Sequence, residues 1–170
     1  MVVIVFGLPG SGKSYFAERL AKKLHADYVN SDQLRREMFP VRTYSEPEKA
    51  AVYNAMLERM KDAVKQNRNI VLDATFHNNE TRNLFTGEVR VKDRICFIEI
   101  TADENLTRQR LKKPREYSEA DFEVYKLIRR QWEPLNEPHL MLESTDENID
   151  IMMTKAVAYL EINDDTRTNK

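Results

Sequence analysis

The sequence predicts an α/β fold with a five-stranded, mostly parallel sheet. Three observations predict it. Short apolar runs rich in β-branched residues alternate with stretches of helical periodicity along the whole chain. No internal repeat or low-complexity linker interrupts that alternation. Three of the four glycines crowd into one segment, Gly7-Leu8-Pro9-Gly10-Ser11-Gly12-Lys13-Ser14, between the first apolar run and the first helical pattern.

The elements follow in order. Val2 to Phe6 reads as a buried strand. The run after Ser14 repeats Phe16, Leu20, Lys23 and Leu24 at helical spacing. Asp27-Tyr28-Val29 is a short second strand, and Gln33 to Met38 a short helix. Ser45-Glu46-Pro47-Glu48 matches a capping box and opens a long helix with Tyr53, Met56, Leu57, Met60 and Val64 on one face. Asn69 to Asp73 is the third strand, Arg94 to Ile100 the fourth and His139 to Leu142 the fifth. Two further capping-box patterns, Thr101-Ala102-Asp103-Glu104 and Ser118-Glu119-Ala120-Asp121, open two more helices. A final helix runs from about Glu147 to Ile162. Residues 163–170 form a polar, flexible tail.

The glycine segment fills the pattern G-x-x-x-x-G-K-[ST], which a chain of this length matches by chance on the order of once in a hundred. Strand, loop and helix surround it as the phosphate-binding loop requires. Successive N–H groups of such a loop form an anion nest, and the following helix adds the positive end of its dipole. Gly7, Pro9, Gly10, Ser11, Gly12, Lys13 and Ser14 are therefore expected to bind a nucleotide. Lys13 would reach its β- and γ-phosphates, and the Ser14 hydroxyl would join the shell of Mg²⁺. The fold expected is the P-loop NTPase three-layer sandwich with a helical lid.

Composition narrows the class. The hydrophobic share is 41% and the charged share 32%, which suits a single soluble domain, and the net charge of −1 does not favour nucleic acid as a partner. The one cysteine, Cys96, lies in an apolar run and reads as a core thiol, so no disulfide framework is expected and the cytoplasm is the expected compartment. The N-terminus has no signal-peptide pattern, and no apolar stretch reaches membrane-spanning length, so no membrane partner is expected.

In an open parallel sheet ligands gather at the carboxyl ends of the strands. Asp73 ends the third strand, where an acid orients Mg²⁺ or its water, although an Asp there also serves as a turn cap. Asp32 follows the second strand. It reads equally as an N-cap and as a general base for an acceptor hydroxyl. Arg108, Arg110, Lys112, Lys113 and Arg115 form a basic run, either a solvated face or a lid whose arginines offset phosphoryl charge. Arg108 and Arg110 are two apart and cannot share a helix face, so only one of them is expected to reach the nucleotide from the helix, with Arg115 a further candidate from the loop; Arg108 and Arg115 are candidates for catalysis and Arg110 for nucleotide binding. Arg35, Thr75 and Arg82 are candidate acceptor contacts beside Asp32, with Arg82 equally able to be a surface residue. His77, Trp132, Tyr117 and Tyr125 read as loop or packing residues.

These residues resemble the small AAA-type P-loop kinase family that includes the 5′-kinase domain of polynucleotide kinases and many bacterial predicted kinases. Zeta-toxin and chloramphenicol phosphotransferase proteins are more distant relatives. The resemblance runs from Val2 to about Leu160. It rests on Gly7 to Ser14, on Asn30-Ser31-Asp32, on Leu72-Asp73-Ala74-Thr75 with Arg82, and on Ser118 to Asp121 leading to Glu133-Pro134-Leu135. It implies a kinase domain over residues 1–162 with a lid at about 103–118, ATP and Mg²⁺ as cofactors, and a hydroxyl-bearing acceptor. It also implies that Asp32 is the base, that Asp73 serves the metal, and that Arg108 and Arg115 belong to the lid. Polynucleotide kinases carry an Asn where this chain has Phe76, so a polynucleotide acceptor is not carried over. The competing expectation is a nucleotide-state switch or ATPase module without an acceptor. The guanine-reading N-K-x-D and the transporter S-G-G-Q patterns are both absent.

Overall fold

Five strands make one sheet in the order β2-β3-β1-β4-β5. They are β1 (Val2–Phe6), β2 (Asp27–Asn30), β3 (Ile70–Asp73), β4 (Ile95–Thr101) and β5 (Leu140–Glu143). Every pairing is parallel, where the sequence predicts a mostly parallel sheet. The computed structural model describes residues 1–87, 95–114 and 118–168, with side chains as far as Glu161. The predicted strand start at Arg94 therefore lies outside the described residues.

The helices are α1 (Lys13–Lys23), α2 (Ser31–Met38), α3 (Glu46–Lys65), α4 (Asn79–Gly87), α5 (Glu104–Leu111), α6 (Phe122–Arg130) and α7 (Ile149–Thr168). Strand side chains alternate between two cores, because the pleat has a period of two. Val2, Ile4, Phe6, Ile70 and Leu72 meet Met56, Leu57 and Met60 of α3. Val3, Val5, Val71, Cys96 and Ile98 meet Phe16 and Leu20 of α1 and Ala156 and Leu160 of α7. Both faces of the sheet are covered, which is why its central strands read as unbroken apolar runs rather than alternating ones. Cys96 is buried in the core, as expected. Among the described residues no helix is long and apolar enough to cross a membrane.

The helix starts depart from the capping boxes. Asp103 and Asp121 are themselves the N-caps of α5 and α6, accepting from the N–H groups of Asn105 and Leu106 and of Val124. Their carboxylates satisfy first-turn donors directly, so α5 begins two residues later than a Thr101 cap would place it and α6 three residues later than a Ser118 cap would. Ser45 precedes α3 but gives its helix no side-chain hydrogen bond. Glu48, the would-be partner in that box, is buried and turns instead to the N–H of Thr43 (2.6 Å), the hydroxyl of Thr43 (2.8 Å) and the guanidinium of Arg35 (2.6 Å). At the far end, α7 continues to Thr168 rather than stopping near Ile162, since no Gly or Pro breaks it there.

Burial alone would raise the Glu48 carboxyl. The hydrogen bonds from Thr43 and Arg35, with the Arg35 charge, outweigh it and hold the group down at about 2. A carboxyl with a lower pKa folded than unfolded stabilises the fold at pH values above its unfolded pKa, and that contribution fades as pH falls through the folded value. The thermal stability advantage of the native chain over Glu48→Gln is therefore expected to be full above pH 4.5 and to shrink toward pH 2. Unfolding curves across that range check it, and an advantage independent of pH would remove Glu48 as the cause.

Candidate active site

The segment after β1 turns so sharply that only glycine serves at two of its positions. Gly7 has φ +151°, and a Cβ there would collide with the carbonyl oxygen of Ile100 on the neighbouring strand. Gly12 has φ +89° and caps α1, and a Cβ there would press on Ser144 Oγ at 3.0 Å. With these torsions the loop closes on itself through Ser11 N–H donating to the Leu8 carbonyl at 3.2 Å. A nest that aims N–H groups inward must point carbonyls outward, and those need donors. The Ser11 carbonyl finds them in Ser144 Oγ (2.6 Å) and Arg110 Nη1 (3.3 Å). The Ser11 hydroxyl itself is buried without a partner.

The loop floors a cleft of about 870 Å³ lined by Gly10, Gly12, Lys13, Ser14, Asn30, Asp32, Arg110 and Ser144, among others. The β strands deliver these groups to one edge because all five run parallel and end together.

Asp73, at the end of β3, is fully buried. Its Oδ2 accepts from the Tyr28 hydroxyl (2.8 Å) and from Asn30 Nδ2 (2.5 Å), while its Oδ1 has no partner. Burial pushes this carboxyl above its ordinary value, against the pull of the Lys13 charge and of the neighbouring Ser14, Tyr28 and Asn30. An orphaned carboxylate oxygen beside a serine hydroxyl and a lysine suits a hard, hydrated divalent cation bridging to phosphate. Such an ion takes only one or two protein oxygens and keeps several waters. Ser14 and Asp73 fit that group.

Asn30 does two jobs with one amide. Its Nδ2 holds Asp73, and its Oδ1 accepts the Gln33 N–H at 2.9 Å as the N-cap of α2. The opposite amide orientation would set an oxygen against the carboxylate, so the network fixes it. Because Asn30 is the cap, Asp32 is not. Asp32 stands in the first turn of α2, half-buried, and its carboxylate makes no hydrogen bond or ion pair among the described residues.

Arg108 and Arg110 separate as their spacing requires, about 200° apart around the helix. Arg110 lines the cleft and ties Ser11, Ser144 and Asp146 together. Arg108 lies over the Phe122 ring at 4.1 Å and pairs with Glu104, away from the cleft-lining residues. Arg115 lies outside the described residues.

The expected acceptor contacts do not line this cleft. Arg35 is buried in an ion pair with Glu48, which binds α2 to the start of α3. Arg82 is 2% exposed and donates to Asn79 Oδ1 (2.9 Å) and the Glu133 carbonyl (2.5 Å), bracing α4 against the chain after α6. Thr75 is half-buried just beyond β3. Phe76, with φ +46°, is fully buried against Tyr53 and Phe85 and gives its N–H to the Tyr53 hydroxyl. An aromatic core thus occupies the place where a polar contact was in question. Trp132 stacks on Phe6, and Tyr125 is buried beside Phe122, both as packing residues. His77 remains a loop residue, its backbone carbonyl accepting from Glu133 N–H at 2.8 Å and burial holding its imidazole below the ordinary value.

Sequence reasoning missed Ser144, Tyr28 and the roles of Asn30. Ser144 and Asn30 occupy strand ends, the positional signal that pointed to Asp32 and Asp73.

A family model described as an AAA domain matches residues 2–135. Among solved structures, the chain is similar to a gluconokinase from Sinorhizobium meliloti, with TM-score 0.76 and 13% identity over 99% of this chain and 97% of that one. It is similar to a sugar kinase from Janibacter sp., with TM-score 0.74 and 14% identity over 95% and 94%. It is similar also to the Mycobacterium tuberculosis APS kinase in complex with AMPPNP and APS, with TM-score 0.69 and 19% identity over 94% and 96%. At these identities the likeness is one of fold, and it spans nearly the whole of each chain.

Proposed function

The chain belongs to the AAA-domain family, and on that premise we propose that it is an ATP- and Mg²⁺-dependent phosphotransferase that moves the γ-phosphate to an acceptor hydroxyl. One observation carries this beyond nucleotide binding. Asp32, relieved of capping by Asn30, presents a carboxylate that has no partner among the described residues to the same cleft as Lys13 and Ser14.

In this reading the nest of Gly7 to Ser14 holds the phosphates, with Lys13 on the β- and γ-oxygens. Mg²⁺, when bound at Ser14 and Asp73, offsets charge on the transferring group. Asp32 accepts the acceptor's hydroxyl proton as that oxygen bonds to the γ-phosphorus, and the bond from phosphorus to the bridging oxygen breaks to release ADP. Arg110 keeps the loop in shape from the lid side, and Arg115 is retained as a lid arginine. Arg108 is better placed to hold α6 than to touch phosphate.

The test is transfer of labelled γ-phosphate across a panel of sugars, nucleosides and 5′-hydroxyl oligonucleotides. Transfer to one class supports the proposal. ATP hydrolysis with no acceptor in the panel points instead to a nucleotide-dependent switch.

Tyr28→Phe removes one of the two donors to Asp73 Oδ2 and leaves the fold's apolar contacts in place. Outer-shell partners of this kind are worth about 10- to 100-fold in metal affinity. The Mg²⁺ concentration for half-maximal activity is expected to rise about tenfold, with the acceptor KM unchanged. An unchanged Mg²⁺ requirement would make the Tyr28 hydroxyl a packing detail.

A further inference from the structure

The end of the cleft that holds Asp32 is bridged. One wall there is α2, with Asp32 and Gln33, and another is the stretch that supplies Lys113, Pro114 and Ser118. The segments that continue from these two walls bond to each other. Arg42 donates Nε (3.1 Å) and Nη2 (2.6 Å) to Glu119 Oε1, and the Tyr44 hydroxyl donates to Glu119 Oε2 at 2.7 Å. Arg36 stands 4.0 Å from the same carboxylate. Glu119 directly follows the cleft-lining Ser118, and Tyr44 lies within electrostatic reach of Asp32. The chain from Asp32 to Tyr44 and the bonds to Glu119 therefore join one wall to the other beside the proposed base.

The two ends of this bridge are held differently. Residues 43–44 are fixed to the start of α3, because Glu48 Oε2 accepts from the N–H groups of Thr43 (2.6 Å) and Tyr44 (3.2 Å). Glu48 is itself buried in its pair with Arg35, whose guanidinium lies 4.9 Å over the Tyr44 ring. Tyr44 is kept at φ +54°, and held backbone strain of this kind concentrates at ligand clamps. Glu119 belongs to no helix, since Asp121 caps α6, and its side chain is part-exposed. Part-exposed ion pairs are weak in water. The bridge thus has one fixed end and one that can let go.

Space points the same way. A cleft of about 870 Å³ has the volume of sites for drug-sized ligands. With a nucleotide on the nest, the Asp32 end has room for one further small molecule.

We infer that the acceptor is a small molecule, of nucleoside or sugar size, enclosed beneath this bridge, and that release of Glu119 from Arg42 and Tyr44 admits it. The inference rests on the phosphotransferase reading. A polymer end would have to hold the bridge open during transfer, and an open cleft lets water compete with the acceptor for the γ-phosphate. An ion pair with only a structural role would govern neither the size of the acceptor nor the loss of phosphate to water.

The experiment takes the best small acceptor of the transfer panel and compares it with the same compound extended, a nucleoside as the 5′ end of an oligonucleotide or a sugar as the end of an oligosaccharide. In the native chain, extension is expected to lower kcat/KM by at least about tenfold. In Arg42→Ala and in Glu119→Ala that gap should narrow several-fold, the ratio of ATP hydrolysis to transfer should rise, and the ATP KM should stay unchanged. The double variant should go no further than either single one, because both act through one contact. An extended acceptor used as well as the small one by the native chain would overturn the inference, as would a size gap and a hydrolysis ratio that ignore both substitutions. ATP hydrolysis with no acceptor in the panel would overturn the function and the acceptor with it. Faster hydrolysis in both variants would then leave the bridge standing as a gate against water.

Discussion

Asp32→Asn is expected to lower kcat about 10²- to 10⁴-fold, the range that a positioned general base supplies, while the affinity for ATP stays near that of the native chain. The substitution keeps the shape of the side chain and removes its capacity to take a proton. It does not disturb the helix, because the cap of α2 is Asn30 rather than Asp32. It does not disturb the Asp73 carboxylate either, because Asp73 Oδ2 draws its hydrogen bonds from Tyr28 and Asn30. Nucleotide binding and thermal stability therefore serve as internal controls. Transfer at the native rate would remove Asp32 as the base. A variant that binds ATP poorly would mean that Asp32 serves the donor half of the cleft.

Gly7→Ala is expected to destabilise the fold by about 2–5 kcal/mol, combining a strained φ with an overpacked contact. The contact is hard, since the Ile100 carbonyl belongs to the backbone of β4 beside β1 and has no rotamer to escape into. For a chain of this size the melting temperature should fall by roughly 5–15 °C. What folds should bind nucleotide weakly, because the nest opens where the loop leaves β1. Gly87→Ala is the matched control. A Cβ there meets nothing within 4 Å and the position is helical, so stability should be unchanged or slightly raised. Equal effects at the two positions would show that torsion and space at Gly7 do not matter.

The parts of this chain that were legible in its sequence obey local rules. The three central strands could be read because the sheet is covered on both sides and their residues form unbroken apolar runs. The phosphate loop could be read because three glycines must sit where φ is positive or a backbone comes close. Asp73 could be read because a strand end in a parallel sheet faces the ligand edge. The parts that were not legible depend on residues far apart in the chain. Arg35 and Arg82 carry the same charge as any surface arginine, and only the positions of Glu48 and Glu133 bury them. Ser144 meets Ser11 across 133 residues, and Glu119 meets Arg42 across 77. The helix starts went astray for a narrower reason. Ser or Thr followed three residues later by an acid fits a capping box, but an acid within the box is equally able to be the cap, as Asp103 is in α5 and Asp121 in α6.

The double duty of Asn30 bears on how such an enzyme changes its substrate over evolution. One amide fixes both the start of the helix that carries Asp32 and the Asp73 carboxylate proposed to serve the metal. A mutation there alters the donor and acceptor halves together, so that position is closed to gradual specialisation. Under the proposed function, new acceptors would instead be accommodated farther along the chain, in residues 36–44 and in the segment around Glu119. Those parts can diverge from one lineage to the next while the phosphoryl-transfer apparatus stays as it is.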